Sequence, residues 1–316
     1  GMYSTGATAS ILIQNSTLSL NSSSQSCSAI HNRDGSTLTI SSSTISGNTT
    51  AVSGGAIYNT NSSLTISSST LSNNTSGTQG GAIAAANSTD TSISNVYFLG
   101  NTSGSDGGAI FNVNNSMTLS SSSFMGNTAN NGGAIFNHSN ASLAISNSMI
   151  SGSIATTNGG AIFNQISSPL TISSSTISNN MATSGGGIFS QTNSSLTISN
   201  SIISLNSAST NGGGIFNQSN SPLTISSSTI SGNTTAIAGG GINNNGSTMA
   251  ISNSIILNNI AVLAGGIFSQ TNSSLTIVSS TISNNMATGH VGGGIASQSN
   301  SPLTISDCMF SENSGL

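Results

Sequence analysis

Short apolar stretches separated by Ser, Thr, Asn and Gly recur along the whole chain at nearly constant spacing. A Gly-Gly-Ala-Ile or Gly-Gly-Gly-Ile element, degenerate in the copies at Ile30 and Ile267, is the clearest of them. Its copies follow one another at a mean spacing of about 26–27 residues, which is typical of an internal repeat. The repeat isoleucines are Ile30, Ile57, Ile83, Ile110, Ile135, Ile162, Ile188, Ile215, Ile242, Ile267 and Ile295.

Two further elements share this period. A Leu-Thr-Ile-Ser element, as in residues 38–41 and 223–226, alternates apolar and polar residues, which is typical of a half-buried strand. An apolar-x-x-Asn element also recurs, with Ser153 in place of Asn in one copy. Its first residues are Leu18, Ile45, Leu71, Phe98, Phe124, Ile150, Ile177, Ile203, Ile230, Ile256, Ile282 and Phe310.

Three elements with one period indicate a single unit copied about twelve times. Each element is strand-like, the segments between them are rich in turn residues, and no helical periodicity is visible. The pattern therefore predicts an all-β parallel β-solenoid over residues 1–316, a single domain of about twelve coils of about 26–27 residues. We expect three strands and three turns per coil, with equivalent apolar residues and the recurring Asn stacked along a rod of roughly 55–60 Å.

Composition excludes several classes of protein. Charged residues make up 2% of the chain, and Arg33 is the single Lys or Arg against five acids. A nucleic-acid partner is excluded because one Arg cannot form a basic face. A membrane-spanning segment is not expected, because the best candidate, residues 255–268, is interrupted by Asn258 and Asn259. No signal-peptide pattern opens the chain, so any such peptide is expected to be already removed.

The alternating GGAI and FxxN motifs resemble the repeats of the chlamydial polymorphic outer-membrane protein family. Residues 107–110 pair with residues 98–101, and residues 132–135 pair with residues 124–127. The resemblance covers nearly the whole chain and implies a right-handed parallel β-helix. In that family the repeats form surface-exposed adhesive passengers of autotransporters. The resemblance thus implies a secreted, extracellular or cell-surface location.

The sequence offers no convincing catalytic, cofactor or metal site. Asp34, Asp90, Asp106, Asp307 and Glu312 fall at different places in the repeat, although carbohydrate chemistry requires converging carboxylates. The mixed cluster of His31, Arg33 and Asp34 is read as a solvated turn. Two cysteines and three scattered histidines do not suggest structural zinc. Cys27 and Cys308 are expected about 50 Å apart, too far for a disulfide.

The sequence allows two interpretations for each of two columns of equivalent residues. The residue after the repeat Ile is often aromatic, as in Tyr58, Phe111 and Phe268, and either packs inside at a corner or forms an exposed stripe; we expect burial. An outward Thr column, with Ser two residues later in most coils, is read as a solvated strand face rather than an ice-binding array. Its members are Thr39, Thr65, Thr118, Thr171, Thr197, Thr224, Thr276 and Thr304.

These observations predict a non-enzymatic extracellular structural protein, a subunit of a head-to-tail filament or surface fibre. The alternatives are an adhesin passenger, which would bind a host or matrix surface, and a polysaccharide-active β-helix enzyme. The self-assembly hypothesis rests on the ends. Alignment by a single repeat places Tyr3 on the column of Ile30, and the chain stops where another such strand is due. The predicted assembly interface comprises Tyr3, Ile11, Ile13, Ile305, Phe310 and Asn313.

Overall fold

The computed structural model describes residues 1–6, 8–88, 90–289 and 292–315, and all the regular structure in these ranges is β-strand. Forty-eight strands form four sheets of twelve parallel strands, with four strands in each coil. Each strand pairs with its equivalents in the coils before and after it. The chain is therefore a right-handed parallel β-solenoid of about twelve coils, and the predicted fold class is confirmed.

The first sheet carries the repeat isoleucines, which stack in register from Ile30 to Ile295 and are fully buried as far as Ile267. The Asn or Ser two residues later points the same way and is buried too; Asn32 Nδ2, for example, donates to Asn59 Oδ1 at 2.7 Å. The strands are Met2–Thr5, Ile30–Arg33, Ile57–Thr60, Ile83–Ala86, Ile110–Val113, Ile135–His138, Ile162–Gln165, Ile188–Gln191, Ile215–Gln218, Ile242–Asn245, Ile267–Gln270 and Ile295–Ser297.

The second sheet follows the predicted apolar-polar alternation. Leu38 and Ile40 are fully buried, whereas Thr65 and most of its equivalents are exposed. The strands are Ser10–Gln14, Thr37–Ser41, Ser63–Ser67, Thr91–Ser94, Ser116–Ser120, Ser142–Ser146, Leu170–Ser173, Leu196–Ser199, Leu223–Ser226, Met249–Ser252, Leu275–Val278 and Leu303–Ser306.

The third sheet contains the apolar residue of each apolar-x-x-Asn element, and this residue faces the core. Phe98 and Phe124 stack there with ring centroids 4.4 Å apart. The strands are Thr17–Ser19, Thr44–Ser46, Thr70–Ser72, Tyr97–Leu99, Ser123–Met125, Met149–Ser151, Thr176–Ser178, Ile202–Ser204, Thr229–Ser231, Ile255–Leu257, Thr281–Ser283 and Met309–Ser311.

The fourth sheet is absent from the sequence prediction, so the expectation of three strands per coil is wrong. Its inward residues are small, as in Thr50, Ser76, Ala129 and Ala208, and give no apolar signal in the sequence. The strands are Ser22–Ser23, Thr49–Thr50, Thr75–Ser76, Thr102–Ser103, Thr128–Asn131, Ile154–Asn158, Met181–Ser184, Ser207–Asn211, Thr234–Thr235, Ile260–Ala261, Met286–Ala287 and Ser314–Gly315.

At the N terminus, the strand pairing in the structure differs by one residue from the pairing expected from the sequence. Met2, not Tyr3, pairs with Ile30, and Tyr3 pairs with His31. Tyr3 therefore continues the aromatic column instead of the core column, because the first interval in this sheet is longer by a single position than the alignment assumes. Ile11 and Ile13 pair with Leu38 and Ile40 as expected.

Candidate functional site

The last coil presents its core residues to solvent. Ile305 and Phe310 are each 43% exposed, whereas their equivalents one coil earlier, Ile277 and Ile282, are fully buried. A shallow apolar depression of about 450 Å³ lies over this end, lined mainly by Ile305, Phe310 and their neighbours. These core residues are therefore exposed at this end of the described chain.

The first coil is less open than the last. Met2 is 43% exposed, and a depression of about 390 Å³ lies beside Met2, Leu18 and Asn21. Ile13 and Leu18, at 5% and 9% exposure, are buried, unlike Ile305 and Phe310 at the other end. The predicted interface residues therefore divide into two end surfaces, with Tyr3, Ile11 and Ile13 on one and Ile305, Phe310 and Asn313 on the other.

The two end surfaces match column by column. In the first three sheets and the asparagine ladder, the core columns begin and end in residues of the same class, large apolar or amide. The pairs, last coil first, are Ile295 with Met2, Leu303 with Ile11, Ile305 with Ile13, Phe310 with Leu18 and Asn313 with Asn21.

A ladder of buried asparagines runs along one corner, as predicted. Nδ2 and the backbone N–H of Asn48 both donate to Asn74 Oδ1, at 2.9 and 3.0 Å, and Nδ2 also donates to the Leu18 carbonyl at 3.1 Å. The ladder begins at Asn21 and ends at Asn313. Within the described chain, Asn21 Oδ1 receives no donor and the Asn313 N–H finds no acceptor. Asn313 Nδ2 donates only to the Ile282 carbonyl, so within the described chain the ladder ends in one free acceptor at Asn21 and two free N–H donors at Asn313.

The ladder is interrupted in the middle of the rod. Ser153 replaces Asn, and its buried Oγ has no hydrogen-bond partner among the described residues. The side-chain amide of Asn127 keeps only its bond to the Phe98 carbonyl, at 3.1 Å, on its donor side. Below the gap, the Ser153 N–H donates to Asn180 Oδ1 at 2.9 Å, so the ladder resumes.

The aromatic column is buried, as expected, but outside the core. Phe111, Phe136, Phe163, Phe189 and Phe216 form a cluster separate from the main core, with centroids of successive rings 4.6–5.5 Å apart. These side chains lie on the outer face of the first sheet, because the preceding Ile occupies the inner face. Neither alternative from the sequence, an inside corner or an exposed stripe, describes this position.

A second line of chain covers this column; we call it the outer ladder. It follows the fourth sheet, and its residues pair in parallel from coil to coil. Phe268 packs against Ala264 and Leu263 beside it, and Asn243, which takes the aromatic position in its coil, donates to Asn211 Oδ1 at 3.1 Å. The outer-ladder residues are Ser53, Gln79, Asp106, Asn131, Asn158, Ser184, Asn211, Ala238 and Leu263.

The charged cluster lies on the surface near the first coil. Arg33 Nε contacts Asp34 Oδ2 at 2.6 Å, and Thr5 Oγ1 donates to the same oxygen at 2.7 Å. The bond from Thr5 and that from Arg33 hold the pKa of Asp34 below its ordinary value. Burial, followed by the charge of Arg33, lowers the pKa of His31. An exposed pair of this kind contributes little to stability.

The remaining acidic residues are not brought together. Asp106 lies in the outer ladder, where its Oδ1 accepts from Asn131 Nδ2 at 3.0 Å, and Asp307 and Glu312 are exposed in the last coil. Among the described residues, no three His, Cys, Asp or Glu side chains are grouped as metal ligands. The same residues include no helix that could cross a membrane.

Both cysteines are free thiols. Cys27 occupies the turn position that Gly54 takes in the next coil, with φ of 68°, and burial raises the pKa of its thiol to about 11. Cys308 stands in a column of serines, where its thiol donates to the Ser306 carbonyl at 3.0 Å.

The outward Thr column is in register along the second sheet. Leu12, Ser92, Ala144 and Ala250 interrupt it. The face is therefore a solvated strand surface with three breaks in its array of hydroxyls, because Ser92 keeps a hydroxyl.

Comparison with known families agrees with this architecture. Residues 209–316 match the model of the right handed beta helix region. Four segments, residues 42–60, 68–86, 95–113 and 121–138, match the Chlamydia polymorphic membrane protein repeat. No protein of curated function and no solved structure matches the chain. The resemblance inferred from the GGAI and FxxN motifs is thus confirmed at the level of repeat and fold.

Proposed function

We propose that this chain, a right-handed parallel β-helix repeat protein, is a non-enzymatic structural rod of the cell surface. It carries Chlamydia polymorphic membrane protein repeats. The repeats support the location, because the family that gives them their name is associated with the outer membrane and the cell surface. The end surfaces support the mode of action, in which rods extend by stacking coil on coil.

The matching of the two end surfaces is the observation that carries this proposal. A second copy placed on the last coil would continue the core columns of the first three sheets with large apolar residues. It would also bring Asn21 Oδ1 within reach of the Asn313 donors, which extends the amide ladder across the junction. A head-to-tail contact of this kind does not close, so it builds a filament.

The first prediction tests stacking at the last coil. Phe310→Asp places a carboxylate on the end surface and should abolish growth of oligomers with concentration, because a buried unpaired charge is costly. Met181→Asp is the matched control, since Met181 is 53% exposed on the side of the rod. Sedimentation velocity and electron microscopy measure filament growth, and circular dichroism checks that both variants fold.

Two results would contradict end-to-end stacking. One is an unmodified chain that stays monomeric at high concentration. The other is a Phe310→Asp variant that forms filaments as readily as Met181→Asp.

The polymorphic membrane protein repeats favour a second candidate function, that of an adhesive passenger. An adhesin would bind a host or matrix surface through the side of the rod. Phe310→Asp should then leave the binding of protein-coated beads to epithelial cells unchanged while it abolishes stacking. A loss of both together would link adhesion to the filament.

A further inference from the structure

From Tyr97 onward, one outward column of the third sheet alternates with a period of two coils. The first residue of each strand there is large and apolar in one coil and a hydroxyl residue in the next, whereas the three earlier strands all begin with Thr. The apolar residues are 39–57% exposed. The column reads Tyr97, Ser123, Met149, Thr176, Ile202, Thr229, Ile255, Thr281 and Met309.

The adjacent corner column has the same two-coil period. Each apolar residue is preceded, two positions earlier, by Asn or Asp, and each hydroxyl residue by Ser. All of these corner residues have φ near +50°, so the backbone does not distinguish the two kinds of coil. The column reads Asn95, Ser121, Asn147, Ser174, Asn200, Ser227, Asn253, Ser279 and Asp307.

The core does not require this alternation. Inside the same strands the residues are uniformly large and apolar, as in Ile150, Ile177 and Ile203, with a period of one coil. Because the alternation is confined to the outer face, it reflects contacts made by that face and not the packing of the core. We call the two outward columns from residue 95 to residue 309 the alternating face.

The alternating face has the geometry of knobs and gaps. Since coils are about 4.8 Å apart, the apolar knobs stand about 9.6 Å apart with a hydroxyl-lined gap between each pair. A flat partner such as a lipid surface would leave the gaps unfilled. A second copy of this chain carries knobs at the same spacing.

We propose that the alternating face is a self-complementary interface, on which a second copy packs side by side in the antiparallel direction. A two-fold axis along the rod would set each knob against its own copy. A two-fold axis across the rod pairs coils in reverse order. Ile202 can then oppose a hydroxyl residue such as Thr176, and all the remaining knobs also oppose hydroxyl-lined gaps. This symmetric contact closes as a dimer and is independent of end-to-end stacking.

Charge and area agree with a second copy as the occupant. Between Tyr97 and Ile255 the alternating face carries no charged residue, so two copies do not repel each other. Its length is about 38 Å and its width about 15 Å, which gives roughly 600 Å² per partner and about 1,200 Å² in total. This area is at the lower end of the range for specific interfaces.

The second prediction replaces three knobs by the residue of the alternate coils. Met149→Thr, Ile202→Thr and Ile255→Thr are combined in the Phe310→Asp variant, which blocks end stacking. The control combines Ile154→Thr, Met181→Thr and Ile260→Thr, which removes side chains of similar exposure from the fourth sheet. All positions are on strands, where Thr is well tolerated.

Sedimentation equilibrium and small-angle scattering give the result. The Phe310→Asp parent and the control should dimerise without an increase in maximum length, and the knob variant should stay monomeric at a tenfold higher concentration. A monomeric parent, a dimer twice the length of the monomer, or a knob variant that dimerises like the control would overturn the proposal. End-to-end stacking is tested separately, by whether the unmodified chain forms longer filaments as its concentration rises.

Discussion

The asparagine ladder shows how single polar side chains can be buried without loss of stability. Each amide in an unbroken stretch gives both of its Nδ2 hydrogens to carbonyl oxygens, and its Oδ1 receives two donors from the coil before. Burial of a polar group is tolerated when its hydrogen bonds are made, and a missing partner leaves the full desolvation cost. The break at Ser153 is therefore the weak position of the ladder.

The third prediction repairs this break. Ser153→Asn should raise the free energy of unfolding by about 1 kcal/mol, because the backbone N–H and Nδ2 of Asn127 gain the acceptor that they have in other coils. The urea midpoint of unfolding measures the effect. Ser153→Ala is the control and should be nearly neutral, since the Ser153 hydroxyl has no partner in the described structure. A lower midpoint for Ser153→Asn would refute this explanation.

The positions of single residues can be predicted from the sequence where the spacing of the repeats is constant. The recurrence of Asn three positions after an apolar residue is enough to predict the ladder. The placement of Tyr3 fails by a single position, because one longer interval at the N terminus shifts every assignment that assumes a constant step. Pattern alone cannot locate an insertion within a turn of Ser, Thr and Gly.

At the scale of elements, the paired glycines form the turn between the outer ladder and the first sheet. In most coils the first glycine of the pair has a left-handed backbone, as Gly212 does with φ of 61°; in the turn before Ile267 this position is Ala264. The second lies against the next coil: a Cβ on Gly213 would be 2.5 Å from the carbonyl oxygens of both Gly240 and Thr234. The second glycine is therefore required by close approach of two backbones.

The fourth prediction tests that requirement. Gly213→Ala should destabilise the rod by about 2–3 kcal/mol, because the added methyl group can be accommodated only by moving the backbone of the next coil. Gly126→Asn is the matched control: Gly126 also lies in a turn, a Cβ there meets nothing within 4 Å, and Asn73 holds the equivalent position. Thermal unfolding followed by circular dichroism compares them. A loss for Gly213→Ala no larger than that for Gly126→Asn would refute close approach as the reason for this glycine.

Strands can be predicted from the sequence where their buried residues are large and apolar. Leu38 and Ile40 alternate with polar residues, and Ile45 begins an apolar-x-x-Asn element, so the sequence predicts the second and third sheets. The fourth sheet buries Thr50 and Ala129, which the sequence does not distinguish from turn residues. The outer ladder escapes prediction for the same reason, and with it the position of the aromatic column.

At the scale of the whole molecule, the scarcity of charge sets the response to pH. The chain has five acids, one Arg and three histidines. Cys27 has a pKa of about 11 in the fold against 9.0 ordinarily, so the unfolded chain loses its proton first as pH rises. Stability is then present below pH 9 and lost through pH 11. Burial lowers the pKa of His31 and His138, so stability also declines as pH falls below about 6.5.

The fifth prediction follows from these directions. The free energy of unfolding should be nearly constant between pH 7 and 9 and fall by up to about 2 kcal/mol by pH 11. Cys27→Ala should remove most of the alkaline fall, because it removes the buried thiol. Urea titrations at pH 8 and pH 10.5 measure the difference. The thiol is not responsible if both proteins lose the same stability.

The equivalence of the coils has a consequence for the gene. Every coil touches only its two neighbours and offers them the same columns, so one coil can be added or lost without altering the rest. At the DNA level this unit is a tandem repeat of about 80 nucleotides, the kind of sequence on which unequal recombination acts. Each such event would change the reach of the rod by about 4.8 Å. The length of the rod is therefore a heritable trait that can change in small, uniform steps.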